Sequence, residues 1–371
     1  TKKHAFAVRA AWLEPGMSPY FGSIEYMRAQ NFREFVGALN RWGAPSENQV
    51  YADTDGNIGY KPAGRFPKRD NWDGLLPVPG DGSYEWDGYF DMDVLPEEYN
   101  PERGFSGTAN AMSLPDDYPI ETYKVGFEWS APWRYRRLWE VLESDDEHSM
   151  EDSLALQRDY ESVFARSVLA QVPVLLSRKA APSQLLADWD HKLTTDSPAA
   201  ALWNVWYYRH LGPALGETLS KEPGAASPRI DTQTALKLLE TEQGQSIASS
   251  TLDAAWNETK DLLGDEPGDW LWGDLHKIKF SHPLLAMATG ELKAQMAIPE
   301  YARGGSENTT NNTGYNPDNF LVRSGASFRM VVDVGNWDEA KMTNAPGQSG
   351  NPGSPYYDNL LKNWATDSHL P

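Results

Sequence analysis

Three side chains in this sequence could act on a carbonyl group. Thr1 carries a hydroxyl beside an α-amine, and an amine of ordinary pKa about 7.7–8.0 can take the proton from an attacking hydroxyl. Asn110 closes the small-residue run Gly107-Thr108-Ala109 and presents one side-chain amide. An amide N–H aimed at a developing oxyanion stabilises it by roughly 2.7–4 kcal/mol. Arg134 stands in Trp133-Arg134-Tyr135-Arg136-Arg137, and a planar guanidinium fixes two acceptors at once. Arg136 and Arg137 read as ordinary helix charges.

Other candidates fit their templates less well. Asp53-Thr54-Asp55-Gly56-Asn57 looks like a calcium loop, but an EF-hand needs Gly at the sixth position, which is Ile58 here. The same residues read as a hairpin turn, since Asp-Gly supplies the positive φ that a tight turn needs. His276 and His282 match no metal-ligand spacing and read as hydrogen-bonding core histidines. Gly347-Gln348-Ser349-Gly350 lacks the Lys and the spacing of a phosphate loop and reads as a turn.

The elements that must position these residues follow from periodicity. Phe6 to Trp12 reads as a strand, ended by Glu14-Pro15-Gly16. Ile24 to Met27 is a short helical piece, and Phe32, Phe35, Val36 and Leu39 recur at helical spacing. Val50 to Ala52 and Ile58 to Ala63 flank the Asp-Gly turn as a hairpin. From Trp133 the pattern becomes helical. Ser149 and Asp152 resemble a capping box, and helices are expected at 183–191, 199–211, 232–242 and 247–263. Residues 270–280 look extended. The Gly/Asn/Thr-rich stretch 301–318 reads as a loop, 328–334 as a buried strand and 355–364 as a closing helix. The order is a mostly β segment (1–132), a helical block (133–265), then returning strands and a closing helix (266–371). The class is α+β, with the helical block inserted into a β layer.

Composition bounds the function. With 371 residues and 40% hydrophobic content, the chain can build a sizeable core. Its net charge of −20 repels nucleic acid and anionic membranes, so neither is an expected partner. No apolar run approaches the roughly 20 residues of a membrane helix. The absence of Cys excludes disulfides, thiolate metal sites and a Cys nucleophile; it fits export to the periplasm or beyond. The chain starts at Thr1 without Met and runs straight into strand-like residues, so a cut chain is expected.

Several pieces occur in one order: YADTDGNIGY from Tyr51, Gly64-Arg65-Phe66-Pro67, LLPVPG, Trp86-x-Gly88-Tyr89, Asn100-Pro101, TAN at 108–110 and Tyr118-Pro119. Trp189-Asp190, WGDLH at 272–276, Ser327-Phe328-Arg329 with Asp333, and PGQSG with Ser354-Pro355 follow. This ordered set, from about residue 5 to about residue 366, resembles the penicillin acylase family of N-terminal-nucleophile hydrolases. The resemblance implies a four-layer αββα sandwich, of which this chain is the C-terminal part of the β chain. The α chain and the N-terminal part of the β chain would complete it. It implies hydrolysis of N-acyl amides, such as N-acyl-homoserine lactones or penicillin-type side chains, and hence roles in quorum quenching or antibiotic resistance.

In the family the nucleophile is usually a Ser at the start of the β chain, far upstream of the hairpin. Thr1 therefore aligns with the β-chain interior, and the nucleophile is expected on another polypeptide. Asn110 matches the oxyanion-hole Asn of the TAN segment, although some relatives carry a second Asn where this chain has Met112. Arg134 matches an active-site Arg that orients the nucleophile's amine and the Asn. No cofactor is implied. Penicillin G-type members hold a structural calcium partly through an Asp shortly after Tyr-Pro, where this chain has Glu121 and Thr122, so any such calcium would sit on the companion chains. A different reading stays open: the 15 Trp and the Asp-Gly turns would also suit a secreted glycan-binding protein without catalysis.

Overall fold

The computed structural model describes residues 4–17, 21–144, 147–220 and 230–368. The chain divides into two compact units, Thr1–Pro132 and Trp133–Pro371.

The first unit is built around the hairpin. Strands β1 (Glu47–Ala52) and β2 (Ile58–Ala63) pair antiparallel from Glu47↔Ala63 to Ala52↔Ile58. Gly56, at φ 84°, closes the turn as expected. Strand β3 (Glu98–Tyr99) adds to the free side of β2. Helix α1 (Phe32–Leu39) opens on an Asn31 cap whose side chain accepts from the Glu34 amide at 3.0 Å. Its Phe32 lies so close to β2 that a Cβ on Gly59 would stand 2.4 Å from the ring, so only Gly fits there. Leu39, Trp42, Ala63, Met92 and Leu95 form the core of this unit.

The stretch expected to be a strand at Phe6–Trp12 is not one. Ala11–Leu13 turns as a 3-10 helix, and Phe6 and Val8 are exposed. An apolar run becomes a strand only when a neighbour takes up its backbone groups, and no described strand lies beside it.

The second unit opens with helices α2 (Trp133–Glu143), α3 (Met150–Gln157), α4 (Val163–Ala170), α5 (Pro173–Leu176), α6 (Ala181–Ala187) and α7 (Pro198–Val205). A π-helical turn, Trp206–Leu211, leads into α8 (Gly212–Glu217). Helices α9 (Thr232–Leu239) and α10 (Glu242–Leu263) follow. Ser149 and Asp152 form the capping box of α3. Trp133, Trp203, Trp206, Trp270 and Trp272 are fully buried, so these tryptophans fill the core and do not form a ligand platform.

After α10 the chain forms short elements: α11 (Trp272–Leu275), β4 (Lys277–Ile278), α12 (Gly290–Gln295), β5 (Tyr301–Ala302), β6 (Thr313–Tyr315), β7 (Val322–Gly325), β8 (Arg329–Asp333), β9 (Asn336–Thr343) and α13 (Leu361–Ala365). Strands pair as β4–β5, β6–β7 and β8–β9, all antiparallel. The extended stretch expected at 270–280 is interrupted by α11, because the His276 amide bonds back to the Trp272 carbonyl at 2.8 Å. The closing helix is shorter than expected, since the Tyr357 amide is held in a turn by the Ser354 carbonyl.

Candidate functional site

Asn110 belongs to the first unit and lies in a segment without helix or strand. It adopts φ 62°, the left-handed region that Asn tolerates better than most residues. Its carbonyl accepts from the Ser130 amide at 3.0 Å. Two residues earlier, the Thr108 hydroxyl accepts from Asn48 Nδ2 at 3.1 Å. Asn48 Oδ1 in turn accepts from the Tyr60 hydroxyl at 2.7 Å. Asn48, Tyr60 and Asn110 all line one cavity of about 260 Å³, whose apolar walls include Phe66, Leu95 and Trp129. Ser46, Glu47, Ser113 and Glu128 also line it, so the cavity combines apolar walls with several polar groups. Met112 is exposed. Thr1 lies outside the described residues.

The Asp53 loop is a hairpin turn with its carboxylate fully occupied. Oδ1 accepts from the amides of Asp55 (3.0 Å) and Asn57 (2.9 Å), and Oδ2 from the Tyr51 hydroxyl at 2.8 Å. Burial works against the charged form, yet the bonds from Asn57, Tyr51 and Asp55 outweigh it and hold the carboxyl below its ordinary range. Among the described residues no group of three or more His, Asp or Glu side chains could hold a metal ion.

Arg134 belongs to the second unit, in the first turn of α2. The helix is anchored by fully buried Trp133, whose indole N–H donates to Thr232 Oγ1 at 2.7 Å. Arg134 is half-buried; desolvation draws its pKa down, and the charge of Glu307 opposes this. Arg136 stacks over the Trp133 ring at 4.9 Å. Arg137 is more than a loose helix charge: it pairs with Asp159 at 2.7 Å and Glu161 at 3.2 Å.

Glu307 sits in the 301–318 stretch, which is largely buried rather than a surface loop. Asn308 Nδ2 donates to the Tyr208 hydroxyl at 3.0 Å, and Asn311 Nδ2 to the Gly304 carbonyl at 3.0 Å. These polar side chains satisfy the backbone of the loop, which is how it can be buried at all. His276 is a fully buried core histidine, with Nδ1 2.5 Å from the Arg303 carbonyl. His282 is not in the core; it is partly exposed and caps a turn through the Leu284 amide at 3.1 Å.

Sequence reasoning missed Asn48, Glu307 and a buried charge cluster. In that cluster Asp367 accepts from Arg303 at 2.7 Å and also from Arg329 and Tyr160. A signal for Asn48 was present: the Asp-Gly turn sets the register, which puts Asn48 and Tyr60 diagonally on one face. The Asp367 cluster joins residues more than 200 positions apart, and no local pattern marks it.

Comparison with known proteins gives a consistent picture. A family model described as penicillin amidase matches residues 1–371. The chain is 29% identical to acyl-homoserine lactone acylase QuiP of Pseudomonas fluorescens, covering 94% of this chain and 46% of that protein. It is 27% identical to the penicillin acylase 2 proenzyme of Pseudomonas sp., covering 92% of this chain and 46% of that protein. The chain thus spans about half the length of the curated relatives it matches. A thermostable penicillin G acylase from Alcaligenes faecalis superposes with a TM-score of 0.66 at 20% identity, over 97% of this chain and 70% of that one. That likeness bears out the expected N-terminal-nucleophile hydrolase fold, with helix and sheet mixed in this chain.

Proposed function

This chain belongs to the penicillin amidase family, and we propose that it is the C-terminal part of the β chain of an amide hydrolase. The observation that carries this reading is Asn110, held in a left-handed conformation at a cavity whose walls include Phe66, Leu95 and Trp129. An amide donor next to apolar walls suits an N-acyl carbonyl and its hydrocarbon arm.

The proposed reaction has two stages and uses no cofactor. The hydroxyl of an N-terminal Ser on a companion chain attacks the amide carbonyl, and the α-amine beside it takes the proton. Negative charge moves onto the carbonyl oxygen, where the Asn110 N–H donates to it. The C–N bond breaks and the leaving amine receives the proton. Water then attacks the ester, the acid departs, and the Ser hydroxyl is restored. Arg134 would keep the nucleophile's amine oriented through its planar donors.

The companions in this reading are an α chain and the N-terminal part of the β chain. One relative is itself named a proenzyme, which fits a product cut into pieces. We place the assembled enzyme in the periplasm or outside the cell, a setting that the lack of Cys suits; a structural calcium would belong to its other chains.

The substrate we favour is a medium- or long-chain N-acyl-homoserine lactone. The relatives include an acylase named for that substrate, and a surface of net charge −20 favours a neutral acyl-lactone over an anionic penicillin. The test is mass spectrometry of products after incubating the assembled protein with both substrates. Free fatty acid and homoserine lactone are expected. Phenylacetate from penicillin G without fatty acid from the lactone would move the specificity to an aromatic arm, and intact amides in both would overturn the reading.

A further inference from the structure

The segment that carries Asn110 has no helix or sheet of its own to hold it. Side-chain and backbone tethers do that work at alternate positions. Ser106 Oγ donates to Glu98 Oε2 at 2.8 Å, Thr108 Oγ1 accepts from Asn48 Nδ2 at 3.1 Å, and the Asn110 carbonyl accepts from the Ser130 amide at 3.0 Å. The middle tether is the only one of these three that runs to the hairpin.

Asn48 is well suited to hold that tether. It pairs with Pro62 across the hairpin while Val50 pairs with Tyr60, so Asn48 and Tyr60 share a face. Tyr60 is buried, at 5% exposure, and its hydroxyl donates to Asn48 Oδ1 at 2.7 Å. This bond sets which end of the amide faces which way, and Nδ2 is left to reach Thr108. Tyr60 in turn is fixed by the hairpin register and by the close approach of Phe32 to neighbouring Gly59. A rigid strand thus transmits its position to Asn110 through two hydrogen bonds.

We infer that Asn48 is a positioning residue for the amide hydrolysis proposed above, acting through Thr108 to hold Asn110 at the oxyanion; the inference rests on that reading of Asn110. Misplacing a donor by about an ångström can cost as much as 10²-fold in rate.

The test is a double-mutant cycle on the assembled enzyme, with kcat and KM read separately. Asn48→Ala lowers kcat about tenfold, the scale of one hydrogen bond, with KM within about twofold. Asn110→Ala lowers it about 10²-fold, and the Asn48→Ala/Asn110→Ala double variant is no slower than Asn110→Ala alone. Thr108→Val behaves like Asn48→Ala, and Thr108→Ser, which keeps the hydroxyl, recovers most of that loss. If Asn48→Ala does not assemble, the Thr108 pair carries the same answer. A double variant slowed by the product of the two single effects would overturn the positioning role and leave Asn110 in place. Unchanged kcat in both Asn48→Ala and Thr108→Val would overturn it too. Wild-type turnover in Asn110→Ala would instead remove the reading on which it stands.

Discussion

The imidazole of His276 lies flat on the indole of Trp272, with 4.7 Å between ring centroids and 7° between planes. The ring is fully buried, and desolvation pushes its pKa from the ordinary 6.5 down to about 4. Hydrogen bonds at the Arg303 and Thr313 backbone act against this, and the charge of Arg303 acts with it.

That shift predicts acid sensitivity. Between 6.5 and about 4 the unfolded chain binds a proton at this site that the folded chain does not. Stability from His276 is therefore complete above about 6.5 and is lost as pH falls toward 4, by up to ~1.4 kcal/mol per pH unit. Urea unfolding of the assembled protein across this window checks it. A His276→Gln variant should show a flatter slope, and equal slopes in variant and parent would contradict the assignment.

A second prediction concerns the buried charges. Asp367, Arg303 and Arg329 are all within 5% of full burial, and among the described residues Asp367 is the carboxylate that pairs with both guanidiniums. Desolvation, followed by the Asp367 charge, drives the Tyr160 pKa far above its ordinary value, which keeps the phenol a neutral donor. Asp367→Asn leaves two buried cations without a counter-charge and should cost about 3–5 kcal/mol. A chemical denaturation midpoint equal to that of the parent would show that the cluster is not an energetic unit.

Arg134→Lys separates charge from geometry. Lys keeps the positive charge facing Glu307 but loses the planar fork. Activity of the assembled enzyme should fall by about tenfold or more, the scale of a lost hydrogen bond to a charged group. Parental activity in the Lys variant would reduce Arg134 to a half-buried structural cation.

Local signals in the sequence marked the parts of the fold that local physics decides. The Asp55-Gly56 turn forms because its geometry needs little beyond its own residues, and the Ser149–Asp152 box likewise closes within one turn of helix. Phe6–Trp12 shows the limit: its pattern suits a strand, but a strand needs a partner, and Ala11–Leu13 turns instead. The 301–318 stretch has the composition of a surface loop, yet its Asn and Thr side chains replace water around the buried backbone. Asn110 stands out in the sequence because one amide ends a run of small residues. Its tether to Asn48 was not, since Thr108 and Asn48 are 60 positions apart.

The most direct test of the account is the kinetics of Asn110→Ala in the assembled enzyme. The donor acts on charge that exists in the transition state and not on the bound amide. The account predicts a fall in kcat of about 10²-fold with KM changed far less. Wild-type turnover, or a loss confined to KM, would contradict it.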